Sequence, residues 1–390
     1  MLRVTCLFVL VSLCSSCATN TPRTPVRAVA RCLDAVSGDA VDSRLLRAQA
    51  ALGQRAWDPA AWVAAGDAWV LLARARSQPQ LFAAADDCAA QALERAPQHA
   101  PAQRLRGLVW MNAHRFAEAR DLARELVARD PSDSLSWGTL SDAELELGNL
   151  SAATEAGQMM LDQKPSLLSY GRAAHLRWLS GDRSGANALY KLAIAAGRQQ
   201  PDREPSAWML VQAAWVFWHE RDYVGAQRGF ELALSELPRY APALEGLGRA
   251  ALARHQPAEA VRWLERAQAL HPLAETAWRL GDAYAAIGDN AAAARAYREV
   301  VQLGQHDPRT LSLFYATRGE QAAEAQRLAE LAFRERQDIY SKDALAFASY
   351  RSGQRATATR LAREIMESGI PDSQVRERAR LILVEPGRQP

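Results

Sequence analysis

A chain of 390 residues is long enough for two or three globular domains. Yet 49% of it is apolar, Ala and Leu dominate, and no stretch alternates apolar with polar residues as a half-buried strand does. The formal net charge of +3 is small for this length, and Arg alternates with Glu and Asp along stretches such as 115–129. That pattern is a solvated helix face and argues against a nucleic-acid-binding stripe.

Residues 1–16 read as a signal peptide. Arg3 supplies a weak positive start, and Leu7 to Leu13 form an apolar run too short to span a bilayer. The following Leu13-Cys14-Ser15-Ser16-Cys17 resembles a bacterial lipobox, with Cys14 standing where an aliphatic residue is usual. The resemblance implies lipidation of Cys17, and Ala18 after it implies sorting to the outer membrane. Cleavage after Ala18, which would release a soluble chain, is the alternative.

Residues 17–26, with two prolines, then form an extended tether. Cys6 and Cys14 leave with the signal, so Cys32 and Cys88 remain as a possible disulfide in an oxidising compartment. The other reading makes both small buried core residues. Residues 27–56 are expected to supply N-terminal capping helices, over 27–36 and 42–56.

Residues 57–370 carry a repeat. Pro97, Pro131 and Pro165 are 34 residues apart, as are Pro238 and Pro272. Between them small and large residues recur at fixed offsets. The block after Ala100 has Gly107, Trp110, Ala119, Ala123 and Leu126. The block after Trp208 has Leu210, Ala214, Phe217, Ala226, Phe230 and Ala233. The block after Ala243 has Leu247, Gly248, Ala260, Leu264 and Ala267, and the next has Leu280, Gly281, Tyr284, Ala293 and Tyr297. Weaker copies run upstream through Trp62, Gly66 and Trp69 and downstream through Ala325, Ala329, Ala358 and Ala362, giving about nine units.

This pattern resembles the tetratricopeptide repeat, and so implies an all-α, right-handed α-solenoid of stacked helix-turn-helix units. Gly107, Gly248 and Gly281 are expected where the two helices of a unit cross too closely for a side chain. Trp110, Phe217, Tyr284, Phe230 and Tyr297 are expected to fill the wider parts of that contact. Each closing proline stops the second helix, because it lacks an N–H and disfavours helical geometry in the residue before it.

In this family the first helices line a concave groove that holds a partner protein or peptide. Carried onto this chain, the groove positions are His175 and Trp178; Trp208, Val211, Trp215 and Trp218; Glu245 and Arg249; and Trp278 with Asp282. A Trp-rich surface flanked by an Arg and carboxylates suits a peptide with apolar anchors. The competing reading packs these tryptophans against a neighbouring helix or the 198–205 loop.

No catalytic constellation is legible. The histidines, at 99, 114, 175, 219, 255, 271 and 306, lack the i, i+4 spacing of a helical zinc site, and there is no phosphate-cradling glycine loop. Asp86-Asp87 and Glu144 with Glu146 read as solvating carboxylates. Residues 371–390 are expected to form a C-terminal capping helix and tail, with Leu381 and Leu383 inward and Arg376, Glu377, Arg378 and Arg380 outward.

The expectation is a non-enzymatic scaffold without cofactor, metal, small-molecule substrate or nucleic acid. It is lipid-anchored to the outer membrane facing the periplasm and assists assembly or stability of a surface machine. The alternative is a soluble periplasmic accessory subunit of a cell-wall or polysaccharide enzyme complex.

Overall fold

Pro97, Pro131, Pro165, Pro238 and Pro272 each stand two residues beyond the end of a helix, at Arg95, Arg129, Gln163, Glu236 and Leu270. The computed structural model describes residues 31–34, 40–76, 78–198 and 203–384. The signal segment, Cys17 with its tether, and residues 385–390 lie outside them.

Among the described residues there are twenty α-helices and no strand. Helix α1 (Ala40–Gln54) precedes nine antiparallel hairpins: α2 (Pro59–Arg76) with α3 (Phe82–Arg95), α4 (Ala100–Asn112) with α5 (Phe116–Arg129), α6 (Ser134–Glu146) with α7 (Leu150–Gln163), α8 (Leu167–Leu179) with α9 (Arg183–Gly197), α10 (Glu204–His219) with α11 (Tyr223–Glu236), α12 (Ala241–Ala253) with α13 (Pro257–Leu270), α14 (Ala274–Ala286) with α15 (Asn290–Leu303), α16 (Pro308–Arg318) with α17 (Ala322–Glu335), and α18 (Ile339–Arg351) with α19 (Arg355–Glu367). Helix α20 (Ser373–Val384) packs on α18 and α19. Successive helices pack along the array, and most alternate helices touch, which is the stacked-neighbour packing of a solenoid.

Local chemistry sets these boundaries. Asp182, Asp222 and Asp289 each accept the backbone N–H three residues on, at 2.9, 2.8 and 2.8 Å, and so cap α9, α11 and α15. The turn inside a hairpin needs one residue with positive φ. Glycine supplies it at Gly148 and Gly181, but His114, Arg221 and His255 take the same conformation at φ 56°, 64° and 58°.

The expected helix crossings hold at two glycines and fail at a third. A Cβ on Gly248 would lie 2.4 Å from Leu264 Cγ, and one on Gly281 would lie 2.4 Å from Tyr297 Cε1. At Gly107 the nearest atom, Thr139 Cγ2, would be 3.6 Å away, so this crossing has room for a methyl group. Phe230 is fully buried, but Phe217 is exposed and Trp110 only half-buried, with the Arg115 guanidinium 4.6 Å over its ring.

The array turns back on itself. Arg336, between α17 and α18, forks onto Glu146 at the end of α6, with Nε 2.6 Å and Nη2 2.8 Å from its two oxygens. The Gln337 N–H donates to the Glu146 carbonyl at 2.9 Å. Farther along, the turn before α20 meets α10 and α12 through His219, Asp372, Ser373, Arg249 and Gln374. One core cluster accordingly runs from Leu167 and Trp178 on α8 to Val375 and Ile382 on α20.

The capping helix has a different inward stripe from the one expected. Val375, Ala379 and Ile382 are buried, Leu381 is 40% exposed, and Arg378 turns inward onto the buried Asp343. The carboxylates read as solvating are also paired. Glu144 is buried and accepts from Arg124 and Asn149, and Asp87 pairs with Arg31 at 2.7 Å.

Candidate functional site

Helices α10, α12 and α14 present equivalent residues toward the inside of the turn, and there the side chains form a charged network. The Arg249 guanidinium lies 4.6 Å from the Trp215 ring centre and 5.2 Å from that of Trp218. It also donates to Glu275 at 2.9 Å, to Glu245 at 3.4 Å and to Gln374 of α20 at 3.0 Å. Arg279 joins Glu275 at 3.3 Å and lies over Trp278 at 4.2 Å. Burial pushes Glu275 up, but Arg249 and Arg279 outweigh it and hold this carboxyl below its ordinary value. Glu245 is raised, by burial first and then by Glu275. A cavity of about 240 Å³ opens beside these groups, bounded also by His219, Arg309, Tyr340 and the Asp343–Arg378 pair.

His219, Asp372 and Ser373 bring together the residue types of a nucleophilic triad without its polarity. His219 Nδ1 accepts the Ser373 backbone N–H at 3.2 Å and lies 3.3 Å from its Oγ, while Nε2 faces Asp372 Oδ2 at 3.4 Å. Asp372 Oδ1 meanwhile accepts the N–H groups of Gln374 and Val375 at 2.9 and 3.0 Å. The nitrogen that would take a serine proton is already committed to a backbone donor, so the cluster fastens the start of α20 to α10. Burial holds the His219 pKa below the ordinary imidazole value, against the pull of Asp372. Among the described residues no group of His, Cys, Asp or Glu is arranged to hold a metal, and no helix is long and apolar enough to cross a membrane.

The structure divides the residues expected to line an open groove. Trp178, Val211, Trp218 and Trp278 are buried in core clusters, a correction to the open-groove reading: Val211 and Trp218 pack among the adjoining helices of residues 207–250, and Trp178 and Trp278 in the cluster that reaches α20. Trp215 is half-buried, edge-on to Phe230 at 5.0 Å. Glu245, Arg249 and Asp282 are held in the network, Asp282 accepting from the Tyr297 hydroxyl at 3.0 Å. His175 stacks on Trp178 and borders a second cavity. Trp208 alone of the ten remains exposed, at 41%.

Leu135 and Leu168 stand at the same register on α6 and α8 as Trp208 on α10, and are 53% and 51% exposed. Nothing in the sequence marks this row, because Leu135 and Leu168 are apolar residues in the first turns of their helices. Asp343 and Arg378 were missed too, although Arg309, Asp343 and Arg378 fall about one repeat apart. Continuing the register of Arg309 through Asp343 and past 370 reaches Arg378.

At the N-terminal end, Cys32 and Cys88 are joined by a disulfide with Cα atoms 5.4 Å apart. The Cys32 carbonyl accepts from Trp69 Nε1 at 3.0 Å and from Gln49 at 3.1 Å.

In sequence, the tetratricopeptide repeat profile matches residues 70–134, 111–167 and 245–308. No curated protein matches the chain. In structure, it is similar to a chain of the APC/C hetero-tetramer Cut9–Hcn1, with 17% identity and a TM-score of 0.53 over 81% of this chain. The match spans 61% of that chain's length. A tetratricopeptide repeat protein from Parabacteroides merdae is similar over 64% of this chain and 98% of its own, at 14% identity and a TM-score of 0.47. PilW, a type IV pilus biogenesis factor, is similar over 55% and 98%, at 18% identity and a TM-score of 0.45.

Proposed function

The chain is a tetratricopeptide repeat protein, and we propose that it works in the cell envelope, lipid-anchored through Cys17 to the outer membrane and facing the periplasm. Its fold is that of a protein–protein interaction scaffold. There it holds a partner protein or peptide and assists assembly or stability of a surface or outer-membrane machine.

The observation that carries the envelope reading is the Cys32–Cys88 disulfide, which suits an oxidising compartment and ties the segment after the proposed tether to the first hairpin. The lipobox-like run ending at Cys17 supports the same reading. Multiple acyl chains would give a stable anchor.

Because the array closes over its own inner face, the partner contact falls on the exposed row of Leu135, Leu168 and Trp208. His175, Trp215 and Arg249 stand behind it and shape the interior.

Metabolic labelling with a palmitate analogue, followed by membrane fractionation, tests the anchor. Wild type should carry label and sediment with outer membranes, and Cys17→Ala should lose both. A labelled Cys17→Ala protein, or an unlabelled wild type in the soluble fraction, rejects it.

A further inference from the structure

We propose that the cavity of about 320 Å³ at the closure of the array is a binding site for a small, uncharged, largely apolar molecule bearing a hydroxyl or carbonyl group. The cavity forms where α6, α8, the α17–α18 turn and the α19–α20 turn converge, so it exists only because distant hairpins meet. Its volume is at the small end of the range for ligand sites.

The lining states the chemistry. Leu145, Leu150, Leu179, Ile339 and Ile370 give it apolar walls. Three cations and three carboxylates also border it, and they are matched. Arg336 forks onto Glu146, Lys342 Nζ lies 2.9 Å from Glu364, and Arg309 lies 3.5 Å from Asp338. With its charges internally paired, the cavity offers no surplus to select an anion or a cation, and a charged ligand would lose hydration without a counter-charge.

Besides the exposed Gln337 amide, two polar groups are left to orient a guest. Neither the Tyr340 hydroxyl nor a His175 ring nitrogen hydrogen-bonds another described residue; His175 lines this cavity, and Tyr340 stands between it and the 240 Å³ cavity, bordering both. Burial pushes the Tyr340 phenol well above its usual range, so it remains a donor. Burial pushes His175 down, so it remains a neutral ring with one donor and one acceptor nitrogen. A hydroxyl can meet both, and a carbonyl can accept from either.

Titration calorimetry of the purified protein with 1-naphthol, alongside 1-naphthalenesulfonate, tests the site. The expected result is saturable 1:1 binding of 1-naphthol and at least tenfold weaker binding of the sulfonate. Tyr340→Phe should weaken 1-naphthol binding about tenfold, the scale of one lost hydrogen bond. Leu150→Trp, which fills the cavity from a half-buried position, should abolish it, with thermal melting showing that both variants remain folded. Absence of saturable 1-naphthol binding, equal or tighter binding of the sulfonate, or unchanged affinity in both folded variants would overturn the proposal.

Discussion

Arg336 and Glu146 are 190 residues apart in sequence and form a two-pronged ion pair at 2.6 and 2.8 Å. This contact and the Gln337-to-Glu146 backbone bond join the eighth and ninth hairpins to the third. A superhelix that could have presented an open cradle becomes a closed turn whose interior holds the two cavities.

Arg336→Ala should therefore leave Glu146 partly buried without its partner, on a carboxyl whose pKa burial already raises. Loss of a charge-assisted pair costs about 2 kcal/mol. Urea denaturation should register that loss, and hydrogen exchange should speed up at the α6–α7 and α17–α18 turns together. Faster exchange at only one of the two would mean that the pair is local ornament.

A second fastener responds to acid. With Nδ1 accepting the Ser373 N–H, His219 carries its proton on Nε2 toward Asp372, and a second proton on Nδ1 would break the Ser373 bond. Asp372 favours that proton, but burial and Arg249 oppose it, and the flanking Trp178 and Trp215 rings bring no charge. The folded pKa lies below the unfolded value of about 6.5, so the folded state binds fewer protons. Stability is then complete above about pH 6.5 and falls as pH drops through the folded pKa. Melting temperature between pH 7.5 and 5 should decline, and His219→Gln should flatten the slope. His175 and His271, also depressed by burial, supply what remains.

Reduction should loosen the opposite end. The Cys32–Cys88 bridge closes a separation of 56 residues and fixes the N-terminal segment against α2 and α3. Cys88→Ala should lower unfolding free energy by about 2–4 kcal/mol in urea titration. Wild type in reductant should match the variant, and no change in either would show that the bridge adds nothing to the hairpins it joins.

Two glycines of the same repeat position should answer differently to substitution. Gly248→Leu forces a side chain into Leu264 and should cost about 1–3 kcal/mol by overpacking. Gly107→Ala meets Thr139 and Leu122 only at ordinary contact distance and should stabilise its helix by about 0.5–1 kcal/mol. Equal melting temperatures for the two variants would contradict the geometry.

These contrasts mark where sequence reading succeeds and where it stops. The 34-residue proline spacing and the Ala and Gly offsets located the hairpins, because helix ends and close crossings are local. Trp178, Val211 and Trp218 stand on the first helices of their hairpins, and whether such positions are exposed depends on what covers them. Val211 and Trp218 are covered by adjoining hairpins and Trp178 by a cluster that reaches α20, and no short-range pattern announces that Glu146 will meet Arg336. In α20 the adjacent apolar residues Leu381, Ile382 and Leu383 left the stripe ambiguous by one position, and contact with α18 and α19 selected Ile382.

Closure of the array is the claim on which the site assignments rest, and a distance measurement tests it most directly. Spin labels at Arg183 and Glu367, exposed residues flanking the approach of Gly181 to Gly369, report on the gap between the fourth hairpin and the ninth. Double electron–electron resonance should give a single narrow distribution at short separation, broadening when Arg336→Ala and His219→Gln are combined. A long, broad distribution in the unmutated background would mean an open superhelix, with Trp215, Arg249 and Trp278 facing solvent.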